Sequence, residues 1–309
     1  MPDITSKPCS TEARREMTPS QPAILAPVPA HARYLTFNAR AGADPKPVLK
    51  NLAAVGLSPD TVLGFGPGLL RGLGASIPGL RPFPSISGSG IEVPSTQSDL
   101  WVWNGGDDRG EIAKTGNAIT AALSPAFDRA DLTDGFMHDG GRDLTGYEDG
   151  TENPEGDAAA AAAIVQGSGP GLDGSSFVAV QRWVHDLAHF ASHSEAERDD
   201  MIGRRIADNE EFEEAPASAH VKRSAQESFE PEAFMLRRSM PFSGVDGDGL
   251  MFVAFGKSLD AFEAVLRRMV GEEDGITDAL FRFSRPVTGG YYWCPPWVGG
   301  RLDLSAIGQ

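Results

Sequence analysis

An order of strand-like and helix-like segments runs through this chain twice, and that duplication narrows the possible folds more than any single motif. In the first half, Ala32 to Phe37 alternates in the manner of a strand, and Val48, Leu49, Leu52 and Val55 follow at helical intervals. "TVLGFGPGLLRGLG" is a short apolar run broken by glycines. "STQSDLWVWNGGDDRGEI" predicts a strand ending in a turn, with Trp101 and Trp103 on one face, and "GEIAKTGNAITAALSPAF" predicts a second helix. The second half starts again with a strand in "SSFVAVQRWVHDLAHF", then a helix in "SEAERDDMIGRR" and strands in "AFMLRRSMPF" and "LMFVAFGKS". It then offers the clearest amphipathic helix of the chain, "SLDAFEAVLRRMVG", where Phe262, Val265, Leu266 and Met269 share a face. The element order recurs without any recurrence of sequence. Two α+β units, each an antiparallel sheet covered by helices on one face, are the architecture that follows.

The expected division is a disordered leader over 1–20, an N-terminal half over 21–155, a connection over 156–174 and a C-terminal half over 175–309. The leader is polar and lacks the apolar core of a signal peptide. The connection, "EGDAAAAAAIVQGSGPGLDGS", reads as a surface crossing whose alanines form a turn or two of helix before the glycines end it. No apolar run is long enough to span a bilayer. Twenty-seven basic residues against 43 acidic ones give a formal charge of -16 over 309 residues, which repels phosphate backbones and argues against a nucleic-acid partner. The same balance suits small molecules or cations, Mn(II) among them. Cys9 and Cys294 stand at opposite ends and form no metal or haem-attachment pattern, so a reducing, cytoplasmic setting is expected.

Several motifs fail on inspection. "GFGPGLLRGLG" lacks the third glycine spacing of a dinucleotide loop. "FGKS" ends like a Walker loop, but Met251 stands where its first glycine belongs. "DGDG" at Asp246 to Gly249 is followed by Leu250 where a calcium ligand is needed. His185, His189 and His193 recur every four residues and would stack on one helical face, a spacing that can hold zinc. Against this, Asp186 replaces the glutamate of the metalloprotease motif. A solvated or partly buried histidine face is the plainer reading.

"GYEDGTENP", Gly146 to Pro154, crowds acidic residues between glycines, as solvated turns also do. Of the six histidines, His220 in "APASAHVKR" stands in a loop-like stretch before a strand carrying Arg237 and Arg238. The chain therefore offers, in order, a carboxylate among glycines, a lone histidine and an arginine in an apolar setting. An iron porphyrin acting on peroxide needs one of each: an imidazole ligand, a proton-moving group and a fixed cation. Strand alternation puts Arg237 and Arg238 on opposite faces, so one of the two can reach such a site.

With "VQRWVHDL", "MIGRRIADNEEF", "SAHV", "LRRSMPF" and "FRFSRPVTGGYYWCP", the opening motif resembles the dye-decolourising peroxidases, of the bacterial class B type, over roughly residues 95 to 298. The resemblance implies two ferredoxin-like halves arranged like a dimeric α+β barrel. It implies one non-covalent haem b per chain, reaction with hydrogen peroxide through an oxoferryl state, and oxidation of small reductants such as dyes or phenols. It makes Asp149 the distal carboxylate, Arg237 the distal arginine, and Ser239 a further distal residue where relatives carry asparagine or serine. His220 becomes the proximal iron ligand, with Asp278 the acid behind it. Arg204 would pair with a haem propionate, and Gly150, Thr151 and Phe252 would complete the cofactor site. Glu148 is expected to point away as a solvated side chain, and His185 to be structural or near a propionate. Trp183, Tyr291, Tyr292 and Trp293 are candidate near-surface electron carriers, and a homo-oligomer is implied. The alternative is a haem-binding or iron-handling protein with incidental peroxidase activity.

Overall fold

The computed structural model describes residues 19–308 other than Gly56. The first half comprises β1 (His31–Ala39), α1 (Lys46–Val55), β2 (Thr61–Phe65), α2 (Pro67–Gly72), a small hairpin of β3 (Ile86–Gly88) and β4 (Ile91–Val93), β5 (Leu100–Gly106), α3 (Arg109–Leu123) and β6 (Phe127–Phe136). After α4 (Gly156–Ala163) come β7 (Ser176–His185) and three short helices, α5 (Leu187–Ala191), α6 (Glu195–Ile202) and α7 (His220–Ser224). Strands β8 (Leu236–Arg237), β9 (Met240–Gly244) and β10 (Gly247–Gly256) precede α8 (Asp260–Met269). The chain continues through β11 (Ser284–Pro286) and β12 (Gly290–Cys294) to the hairpin of β13 (Trp297–Val298) and β14 (Arg301–Leu302).

The ten-stranded antiparallel sheet runs β11-β7-β12-β2-β5-β1-β6-β9-β10-β8, and β10 also pairs with β7 along its length. Setting aside β11 and β8, the remaining strands close into a barrel. Two seams rest on single residue pairs, Trp293 with Phe65 and Gly135 with Phe242. Between the seams each half contributes four strands, in the spatial order 4-1-3-2 counted within that half. This is the ferredoxin-like arrangement, built twice.

Strand alternation sorts the core into two layers. Tyr34, Val62, Trp101, Trp103, Val253 and Phe255 fill one cluster inside the barrel. Their sequence neighbours Leu35, Leu63, Leu100, Val102 and Ala254 face outward into a second, capped by Ile119 and Leu123 of α3 and by Phe262 and Leu266 of α8. A wall buried on both faces explains why β2, β5 and β12 read as nearly continuous apolar runs.

Three features differ from expectation. Strand β6 has no apolar alternation, because Asp128, Arg129 and Ala130 are exposed in succession where the register with β1 shifts, and its hold on β1 is a long backbone ladder. The alanine-rich run lies against the sheet: Ala163 and Ile164 are buried with the barrel cluster, where small side chains permit close approach. Most of the leader, with Cys9, lies outside the described residues. Its end is ordered, since Ser20 and Gln21 are buried and the Gln21 amide bonds to Leu63 and Pro295. Cys294 is a buried free thiol.

Candidate active site

A cavity of about 980 Å³, counting its open mouth, lies between the outer face of the barrel and helices α7 and α8. The barrel wall supplies Gln181 and Trp183 from β7 and Leu250 and Phe252 from β10. Facing them are Val265, Leu266 and Met269, on the apolar stripe of α8. The size suits a large organic ligand, and the lining is apolar with a few polar groups.

His220 opens α7, just after the buried Ala219, and so belongs to a helix N-terminus where a loop was expected. Its Nδ1 lies 2.7 Å from Oδ2 of Asp278, a fully buried carboxylate whose Oδ1 caps the Leu280 N–H. A carboxylate accepts, so Nδ1 donates and the lone pair is left on Nε2, which has no hydrogen-bond partner among the described residues. Burial works to lower the His220 pKa, but the Asp278 charge and hydrogen bond outweigh it and the net shift is upward. A buried carboxylate of this kind fixes the ring and strengthens it as a donor to a metal.

Asp149 sits on a turn built as a short ladder. The Asp143 N–H donates to the Tyr147 carbonyl, Arg142 and Glu148 form a bridge, and the Asp149 N–H donates to the Gly141 carbonyl. Gly146 and Gly150, which bracket Tyr147 to Asp149, have φ of 90° and 78°, values that favour glycine. The Tyr147 hydroxyl donates to Asp199 at 2.5 Å; burial, together with that contact, raises its pKa. Glu148 is not simply solvated. It borders the cavity, pairs with Arg142 at 3.1 Å and accepts from Asn209 at 2.8 Å.

Arg237 reaches the same cavity from β8, with Nη1 4.0 Å from Asp149 Oδ1. Its Nε is buried without a partner among the described residues, so a donor is left for a ligand. The next residue, Arg238, turns to the other face, where its Nε donates to the Ile24 carbonyl. Burial lowers its pKa. Asp149 and Arg237 also border a second cavity of about 400 Å³, lined by Gly150, Asn153, Ser239 and Met240. Ser239 lines this smaller space and not the larger one, and its hydroxyl accepts weakly from the Val253 N–H at 3.4 Å.

The remaining expected residues scatter. Phe252 lines the main cavity and Gly150 the smaller one. Thr151 accepts from Asn209 at the surface. Arg204 is buried and pairs with Glu152 at 2.6 Å and Glu211 at 3.4 Å. The histidine row does not form: His185 ends β7, His189 lies on α5 and His193 follows it, and among the described residues no three metal-type side chains converge. Tyr291, Tyr292 and Trp293, expected near the surface, are buried to within 2%, because β12 is an inner strand of the barrel covered on both faces. Trp183 is buried too. Sequence reasoning missed Asn153, whose side chain holds the Arg237 backbone, and Gln181, which accepts from the Trp183 indole and has an unpaired amide nitrogen at the cavity wall. Asn153 lay in plain view within the quoted "TENP".

A family model described as Dyp-type peroxidase, C-terminal, matches residues 140–299, more than half of the chain and all of the site just described. This chain belongs to the DyP-type peroxidase family. Among curated relatives, the dye-decolorizing peroxidase of Mycobacterium tuberculosis is 32% identical over 222 residues, 70% of this chain and 66% of that protein. The dye-decolorizing peroxidase of Rhodococcus erythropolis is also 32% identical, covering 70% and 65%. The chain thus spans just under two thirds of the length of these DyP relatives. In three dimensions it resembles a putative dyp-type peroxidase of Shewanella oneidensis, with TM-score 0.85 at 29% identity over 91% of this chain and 97% of that one. A variant of Rhodococcus jostii RHA1 DypB, solved in complex with heme, gives TM-score 0.82 at 28% identity over the same shares.

Proposed function

We propose that this DyP-family chain is a haem-dependent peroxidase that reduces hydrogen peroxide and oxidises one-electron donors such as dyes or phenols. The observation that carries the reading is a single cavity bordered by an uncommitted imidazole nitrogen on the helix side and by Asp149 with Arg237 on the sheet side. The residues present fit haem b. His220 offers Nε2 with its other nitrogen already fixed by Asp278, the walls are apolar, and the buried Arg237 Nε lacks an acceptor. His220 would hold the iron, and Phe252 and α8 would cover the ring; Arg204, paired with Glu152 and Glu211, would meet a peripheral carboxylate only by exchanging those partners.

Bound haem would supply a redox-active iron able to store the oxidising equivalents of peroxide for one-electron donors. Asp149 accepts the proton of the inner peroxide oxygen on its carboxylate and returns it to the outer one. Arg237 holds a permanent positive charge where negative charge builds on the outer oxygen as the O–O bond breaks, and its Nε–H donates there while that oxygen, carrying both protons, leaves as water. The gap of 4.0 Å between the two side chains is too long for a strong hydrogen bond and leaves both groups free for peroxide. The smaller cavity touching both has room for peroxide beside the pair, with Ser239 on its wall. A haem-storage protein would need His220 but has no use for this opposed pair.

We also place the protein in the cytoplasm, supported by two cysteines too few and too far apart in sequence for a disulfide framework, and expect a homo-oligomer on the family resemblance. Among the described residues, no helix is long and apolar enough to cross a membrane.

The test is Arg237→Leu. Haem uptake should persist with an intact Soret band, while the rate of reaction with peroxide falls by about 10²–10³-fold. An unchanged rate in stopped-flow spectra, or a wild-type protein that takes up no haem, would overturn the reading.

A further inference from the structure

A buried pair on the cavity wall has no part in the chemistry above. His185 closes β7 with its side chain 4% exposed. Its Nδ1 lies 2.7 Å from Oγ of Ser284, the residue opposite it on β11, and its Nε2 lies 3.3 Å from Oδ1 of Asp143. Phe283 meets the ring edge-on at 6.0 Å. The proton positions follow from the partners. Asp143 accepts, so Nε2 carries a hydrogen, and its other oxygen already takes the N–H and O–H of Thr145 at 3.0 and 2.7 Å. Serine, histidine and aspartate stand in the order of a hydrolytic triad, but Ser284 is 3% exposed and does not border the cavity, so its hydroxyl cannot reach a substrate.

What the pair does reach is the turn that carries Asp149. Asp143 and Asp149 lie on the two arms of one ladder, pairing with Tyr147 and Gly141 respectively. Two ladder steps, roughly 7 Å of chain, separate the His185 contact from the distal carboxylate. The Asp149 side chain makes no hydrogen bond among the described residues, only the 4.0 Å approach to Arg237, so its place depends on its own backbone. That backbone is tied to the body of the protein by Tyr147 to Asp199 and Glu148 to Asn209 on one arm, by Asp143 to His185 on the other, and just beyond the turn by Asn153 to Arg237. The Arg142–Glu148 pair is internal to the turn and half exposed, where such pairs contribute little.

We infer that His185 is a positioning residue: by holding Asp143 it fixes the turn that presents Asp149 to the cavity. The inference rests on the peroxidase reading and adds to it a further support for the proton-moving group. It separates the two ring nitrogens by role. The Nε2 contact transmits to Asp149, and the Nδ1 contact with Ser284 merely holds the ring.

Two substitutions in the haem-loaded enzyme test it. Glutamine keeps a donor near the place of Nε2, whereas asparagine keeps one near Nδ1 and falls short of Asp143. His185→Asn should slow the reaction with peroxide by about tenfold to hundredfold, the cost of a small misplacement of a reacting group. Its haem content and the later rate of electron uptake from a phenolic donor should stay at wild-type values. His185→Gln should recover most of the lost rate. Equal rates for His185→Asn and wild type would overturn the inference, as would equal losses in both variants, or loss of haem in the asparagine variant. A wild-type control that fails to react with peroxide would instead sink the peroxidase reading itself, so the two failures are told apart.

Discussion

Asn153 grips the backbone of Arg237 from both sides. Its amide oxygen accepts the Arg237 N–H at 2.8 Å, and its amide nitrogen donates to the Arg237 carbonyl at 3.0 Å. It thus does for the two-residue strand β8 what a neighbouring strand would otherwise do. It also joins the turn bearing Asp149 to the strand bearing Arg237, so the two opposed charges share one mechanical frame.

Asn153→Ala leaves the partly buried Arg237 N–H without this acceptor and its carbonyl with only the longer contact from Arg238 Nη1 at 3.3 Å. A loss of about 1–3 kcal/mol in stability is expected, read by denaturant unfolding. The peroxide rate in stopped flow should fall about tenfold or more, because Arg237 is freed. Haem stoichiometry should not change.

Asp278→Asn keeps an acceptor for His220 Nδ1 but removes the charge. About 10–100-fold should be lost in haem affinity or in peroxide turnover. Titration of the apoprotein with haem, followed by steady-state assay, separates the two. The same substitution removes the influence that now raises the His220 pKa, so the apoprotein's histidine should titrate lower by NMR.

Acid stability should report on Asp143. Burial works to raise its pKa, but the His185 and Thr145 contacts outweigh it and hold the carboxyl below the usual value. The unfolded chain then binds the proton more readily than the folded one. The stabilisation is fully present above the ordinary aspartate pKa of about 3.9 and is lost as pH falls through the lower folded value. Asp143→Asn should therefore be less stable near neutral pH, by about 1–3 kcal/mol. It should also show a flatter decline in unfolding free energy below about pH 4. A variant that tracks the wild type across the whole range contradicts this.

Much of this molecule was legible from local pattern. Helix α8 buries the four residues its spacing selected, and alternation separated Arg237 from Arg238. The glycines around Asp149 do adopt the left-handed backbone their positions implied. Contacts between distant segments were not legible. The partners of Arg204, the pairing of Asp143 with His185 and the Asn153 clasp each join residues between 7 and 84 positions apart, and no periodicity encodes them. Strand β6 escaped because a strand held mainly by main-chain bonds need not advertise itself in side chains. Burial of Tyr291 to Trp293 escaped for the opposite reason: aromatic, apolar β12 reads the same at a surface or within a wall.

The closed ring of strands has one more consequence. A hoop has no free end from which a strand can peel, so the wall of β7 and β10 that carries Gln181 and Phe252 is held along both edges. The opposite side of the cavity, formed by α7 and α8, is held by side-chain packing and not by a strand ladder. His220 belongs to that second side, so its place depends on the Asp278 clasp and not on strand pairing.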